Sequence, residues 1–181
     1  KLLYLFLSFS LLFSAEIIKY SGELFEFSSD ARSLSMGLSG VSMANSSSGI
    51  FQNPALISRE NPGQIVFSYK NLFSGLASHN TAVIPLAQNS EFTFNLGFIR
   101  FGVDNIPNTS NALISFIDDK PDFDLDRISY FNYREISILL AIARSYNQRN
   151  YGLNLKPLYY AGNNYHAYGI GTDIGFFKKF K

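Results

Sequence analysis

The sequence predicts an all-β fold, part of an antiparallel transmembrane β-barrel, with an irregular, short-helix segment ahead of the strands. Three observations predict it. Apolar residues alternate with small or polar ones at period two through much of the chain beyond residue 63. The second face of that alternation carries Gly and Asn where a water-exposed sheet would carry Lys and Glu. Only 16% of residues are charged, against roughly 25% in soluble domains, while aromatics also reach 16%, from 18 Phe and 11 Tyr.

Residues 1–15 read as a secretory signal peptide. Basic Lys1 precedes the apolar run Leu2 to Phe13, followed by small Ser14 and Ala15 and then polar Glu16. Cleavage is expected after Ser14 or Ala15. The competing reading, a membrane anchor, needs about 20 apolar residues, more than this run supplies.

Residues 16–62 are rich in Ser, Gly and Asn. Asn53-Pro54-Ala55 reads as a helix start, with Asn as N-cap and Pro in the first turn. The helix should be short, Pro54 to about Ser58, because Asn61-Pro62-Gly63 stops it. The segment is too Gly- and Ser-rich to span lipid. It nevertheless holds Met36, Leu38, Val41, Met43, Ile50, Phe51 and Leu56, which need a dry partner. It is expected to pack against the barrel's inner face; Gly169, Gly171 and Gly175 read either as room for that close approach or as room for strand curvature.

Residues 63–181 carry the strands. Ile65, Phe67 and Tyr69 alternate with Val66, Ser68 and Lys70; a weaker stretch covers Ala77 to Leu86. Phe92, Phe94, Leu96 and Phe98 then alternate with Thr93, Asn95 and Gly97, and Ile136, Ile138, Leu140 and Ile142 with Glu135, Ser137, Leu139 and Ala141. Tyr151, Leu153 and Leu155 alternate with Gly152, Asn154 and Lys156. Tyr168, Ile170, Thr172, Ile174 and Phe176 alternate with Gly169, Gly171, Asp173 and Gly175. Successive side chains on a strand point to opposite faces, so each segment has one fatty face. In a soluble sheet that face packs a core; in a barrel it meets lipid. Segments of about ten residues suit a tilted membrane strand. Tyr69, Tyr130, Tyr133, Tyr159, Tyr160, Tyr165 and Tyr168 near segment ends suit an interfacial girdle. With the Asn-Pro-Ala turn on the periplasmic side, the short turns Ala87 to Ser90 and Tyr146 to Arg149 fall there too. The long loop Asp104 to Phe131 then lies outside, as barrels arrange them. Pro157 should mark a bulge, bend or strand end.

Other constellations are weak. Asp118, Asp119, Asp122, Asp124 and Asp126 resemble the start of a calcium loop, but Arg127 and Tyr133 stand where Gly and an acidic residue are required. A solvated acidic loop is the better reading. His79 and His166 are far apart, and no metal or triad cluster surrounds them; both are expected near the surface. Cysteine is absent. Lys70, Lys156, Glu135 and Asp173 fall on the polar faces and are expected to pair with one another or with the N-terminal segment. The net charge of +1 gives no field that selects nucleic acid. No cofactor motif or catalytic constellation is visible, so neither a cofactor nor an enzyme is expected.

Ala31-Arg32-Ser33-Leu34-Ser35-Met36-Gly37, continuing through Gly40, Ala44 and Gly49 to Asn53-Pro54-Ala55-Leu56, resembles the N-terminal signature of the PorV/PorQ family. That family belongs to the outer-membrane barrels that include the FadL fatty-acid transporters. Gly102 to Thr109, Tyr130-Phe131, Tyr151 to Lys156 and Ala167 to Gly175 are similar to later family stretches. Leu38, Ser46-Ser47 and Leu56 depart from the pattern. The resemblance implies a 14-stranded barrel with the N-terminal segment folded inward as a hatch, its motif here being Arg32, Met36, Gly37, Asn53, Pro54 and Ala55. About six strands are legible, so the chain is expected to be an N-terminal part of the barrel. The resemblance also implies bacterial outer-membrane lipid as surroundings and a role in type IX-like protein secretion or attachment, with secretion-machinery proteins or secreted cargo as partners. The alternative is a FadL-like channel for hydrophobic small molecules, which would need an apolar pocket beside Ile50 and Phe51.

Overall fold

Long period-two stretches separated by Asn-bearing turns fold back strand by strand. The computed structural model describes residues 22–25, 31–37, 39–42, 47–58, 64–117, 120–178 and 180, and in it the chain forms a meander. Strands β1 (Val66–Leu72), β2 (Ala77–Gln88) and β3 (Phe92–Asn108) pair in succession. A separate hairpin follows, β4 (Leu113–Ile117) with β5 (Lys120–Phe123). The main sheet then continues with β6 (Ser129–Tyr146), β7 (Arg149–Gly162) and β8 (Tyr165–Lys178). Its order is β1-β2-β3-β6-β7-β8, antiparallel throughout. The all-β, antiparallel expectation is met. The sheet has six strands and is not closed: among the described residues β1 and β8 are its edges. The expected signal peptide lies outside the described residues, as do Leu38, Met43, Asn61-Pro62-Gly63 and Asp118-Asp119.

Turn chemistry explains the fold-backs. Asn147 and Gln148 between β6 and β7 both have positive φ (46° and 63°), the twist that a two-residue hairpin needs. Between β2 and β3 the Asn89 side chain accepts from the backbone N–H of Glu91 (3.0 Å) and Phe92 (2.7 Å), an Asx turn.

Three expectations need correction. The long loop is shorter than Asp104 to Phe131, because β3 and β6 keep pairing as far as Asn108 and Ser129. They do so across a bulge, where Asn105 takes φ 58° and donates its backbone N–H to Asn132 Oδ1. Pro157 neither ends nor shifts its strand. The β6–β7 ladder skips Lys156 and Pro157 and resumes in the same register, and the Pro157 carbonyl accepts from Ser137 Oγ at 2.9 Å. Strands are also longer than expected, 17 residues for β3 and 18 for β6.

The sheet is inside out by soluble standards. Thr93, Asn95 and Gly97 of β3 are buried, while Phe94 and Phe98 on the alternate positions are exposed. Glu135, Ser137, Leu139, Ala141 and Ala143 of β6 are buried, with Ile138 and Leu140 exposed. On β8 Ile174 is 88% exposed. The buried face is covered by the N-terminal segment. Leu24, Ile50 and Ile57 from that segment join Val83, Ile99, Leu139, Ala141 and Ala143 in one apolar cluster.

Candidate functional site

The segment's docking surface is the one place where specific polar chemistry converges. Two 3-10 turns, Ser47–Phe51 and Pro54–Ser58, follow one another on the covered face of the sheet. Asn53 stands between them and is buried. Its Oδ1 accepts from Ala55 N–H at 3.0 Å, the N-cap bond expected from sequence. Its Nδ2 donates to the carbonyls of Val41 (3.1 Å) and Phe176 (3.2 Å). One amide thus joins the turn, an earlier arm of the segment and strand β8.

Two glycines make that approach possible. A Cβ on Gly152 would lie 2.3 Å from Ala55 N and Pro54 C, and one on Gly175 would lie 2.2 Å from Asn53 Oδ1. Neither position tolerates a side chain while the segment is docked. Gly175 makes room for the segment's close approach. Gly169 and Gly171 do not: their neighbours are Leu158 and Lys156, and they line a cleft of about 430 Å³ beside Phe25, Leu158 and Tyr160.

Further along the sheet, Asn154 is fully buried and donates through Nδ2 to the Ile50 carbonyl at 2.6 Å. Lys156 pairs with Asp173 (Nζ to Oδ1, 2.7 Å) and lies 4.4 Å above the Phe25 ring. Leu24 is gripped from both sides. Its N–H donates to Glu135 Oε2 at 3.2 Å, and its carbonyl meets His79 Nε2 at 3.1 Å. A carbonyl can only accept, so Nε2 carries the hydrogen of that bond. Tyr133 OH donates to the other Glu135 oxygen. The expectation that these polar-face charges pair with one another or with the segment holds for Lys156, Asp173 and Glu135.

His79 was expected near the surface and is instead 0% exposed on the covered face. Its strand lacks a fatty side to set the phase, since Ser78, Asn80 and Ala82 occupy the other face. His166 is exposed and stacks on Tyr159. Tyr133 and Tyr160 do not belong to a girdle. They share the covered face's parity and meet edge-on with ring centroids 5.1 Å apart.

The remaining motif residues act locally. Arg32 lies in helix α1 (Ala31–Ser35), its side chain outside the described residues. Met36 and Gly37 close that helix: Gly37 takes φ 64° and donates its N–H to the Leu34 carbonyl. The apolar pocket that a channel for hydrophobic compounds would need beside Ile50 and Phe51 is not open at Ile50. Ile50 is 0% exposed, and its Cδ1 lies 3.2 Å from where a Gly97 Cβ would be. Asp124 caps its own turn, accepting from Asp126 N–H and pairing with Arg127. No group of three metal-ligating side chains occurs among the described residues. Gly152, Asn154 and the Glu135–Leu24–His79 grip were not singled out from sequence. Their strand parity was visible, but their partners lie between 55 and 111 residues away in the chain. No protein-family model, curated protein or solved structure matches the chain.

Proposed function

We propose that the chain is part of a plugged outer-membrane β-barrel of the PorV/PorQ kind, serving protein secretion or attachment at the cell surface. The observation that carries this reading is the inverted sheet. On the bare face of β6, Ile136, Ile138, Leu140 and Ile142 run uninterrupted from Arg134 to Arg144. At ~3.3 Å per residue and a tilt of ~40°, that stretch is ~25 Å tall, the height of a barrel's lipid-facing band. A face of this kind in water would be an aggregation surface. The covered face, by contrast, is sealed to the N-terminal segment by buried hydrogen bonds and glycine contacts, which suits a plugged scaffold better than an open pore. The role in secretion rests on the sequence resemblance.

The cleft beside Phe25, Leu158, Tyr160 and Ile170 favours a second reading, passage of a hydrophobic small molecule. Deleting the gene in its native bacterium separates the two. The first reading expects surface-attached and secreted proteins to fall while uptake of a labelled hydrophobic compound is unchanged. The reverse outcome sinks the first and supports the second.

A further inference from the structure

At one end of the sheet the bare face changes character. Above Phe98 and Ile138 stand Arg100 on β3 and Arg134 on β6, diagonal neighbours across the ladder because Arg100 faces Ile136 and Gly102 faces Arg134. Both guanidinium groups share the parity of the apolar band. Arg100 lies over Gly102, where a Cβ would sit 3.0 Å from Nη2, and it donates through Nη1 to Ser78 Oγ at 3.2 Å. Among the described residues it makes no ion pair. Arg134 has Asp104 at 3.9 Å, both side chains about half exposed, a contact of little strength. A cleft of about 260 Å³ opens here, lined by Tyr69, Leu76, Ser78, Asn80, Arg100 and Asp104. Exposed Phe73, Leu76 and Tyr69 flank it.

The opposite rim differs. Arg144 is neutralised by Glu91 at 3.0 Å, and its guanidinium lies over the Phe92 and Tyr146 rings. Arg149 and Lys178, cross-strand partners on the same face at that rim, also have no ion pair among the described residues, so the hairpin end is set apart by its cleft and by the Arg100–Ser78 contact and not by charge alone.

We propose that this cleft binds the anionic phosphate headgroup of a membrane lipid. Arg100 in the cleft and Arg134 beside it on β6 hold the phosphate oxygens, Ser78 and Asn80 contribute polar contacts, and the acyl chains lie down the band over Phe98 and Ile138. The inference rests on the membrane reading above and adds a lipid class and a site to it. Three features select this occupant. Guanidinium forks match phosphate oxygens. Their place at the end of an apolar band puts them at headgroup depth. Aromatic and aliphatic side chains at the rim offer cover to the first carbons of the chains.

The test uses the full-length protein in mixed micelles, with native mass spectrometry counting retained phosphatidic acid against phosphatidylcholine. Phosphatidic acid should be retained in preference. Arg100→Gln with Arg134→Gln should lower that preference about tenfold or more. Arg144→Gln at the other rim should leave it unchanged. Asp104→Asn should raise it, a gain that misfolding cannot imitate. Equal retention of the two lipids, or a preference indifferent to the double variant, overturns the site. Displacement of the lipid by millimolar inorganic phosphate would reassign it to a free anion and overturn the lipid proposal. If quenching by brominated acyl chains shows that the bare face does not meet lipid at all, the membrane reading itself has failed. If quenching is normal and only the preference is missing, this proposal alone has failed.

Discussion

Gly152 and Gly175 leave no room for a methyl group, and that single fact makes the docking of the N-terminal segment testable residue by residue. Gly152→Ala must push Pro54 and Ala55 off the sheet, because its Cβ would fall 2.3 Å from their backbone. A cost of about 1–3 kcal/mol to docking is expected, read as faster protease cleavage within residues 47–58 of the full-length protein. Gly169→Ala is the control. Its Cβ would meet only Leu158 at an ordinary 3.6 Å, so cleavage there should not change. Asn53 gives a graded series. Asn53→Ala forfeits three hydrogen bonds and should weaken docking by ~2 kcal/mol, at about 1 kcal/mol or less for each bond. Asn53→Asp keeps the acceptor for Ala55 N–H but turns a carboxylate toward the Val41 and Phe176 carbonyls. It should be worse than alanine, and an aspartate that protects as well as asparagine would refute the junction described here.

At the scale of the strand, the two faces make opposite demands. Spin labels at Phe94 and Asn95 should report them directly: strong access to a lipid-soluble quencher at 94 and weak access at 95. Equal access would sink the membrane assignment. Phe94→Arg should cost about 2–4 kcal/mol if the position lies near the midplane, and far less near an interface. The alternation behind this was legible in β1, β3, β6, β7 and β8 because each has a contrast between fatty and small residues. In β2 the contrast fails, since Ala77, His79, Thr81 and Val83 face Ser78, Asn80 and Ala82 with little difference in polarity. Parity without contrast has no sign, so His79 was misplaced. The far ends of β3 and β6 escaped notice for a related reason. At Asp104, Asn105 and Pro107 the chain is past the apolar band, and a bulge breaks the period. The Asn53 cap was legible because capping is local. Gly152 and Asn154 could be given a face but not a partner, since nothing in a strand's sequence names what lies across the fold.

For the whole molecule the question is whether segment and sheet form one body. Phe25 and Lys156 are close enough to ask it by chemistry, with the ammonium 4.4 Å from the ring. Phe25→Cys treated with a short amine–thiol reagent should cross-link to Lys156 in the full-length protein, and Lys156→Gln should abolish the product. Absence of the cross-link, together with free cleavage of residues 47–58, would make the segment a tether and not a plug. Among the described residues, β1 and β8 each have a neighbouring strand on one side only. In lipid each unpaired backbone group costs several kcal/mol, so the membrane reading requires further strands to pair with both.

The grip on Leu24 also dictates an order of events. Glu135 lies 111 residues further along the chain, and Phe176, which accepts from Asn53, lies 123 residues beyond it. The seat for the segment is assembled from β2, β6, β7 and β8, so it does not exist until those strands have paired. Closing loops of that length is slow. The segment's seat is thus built from strands that follow it in the chain, and on refolding residues 47–58 should gain protease protection only after the sheet has formed.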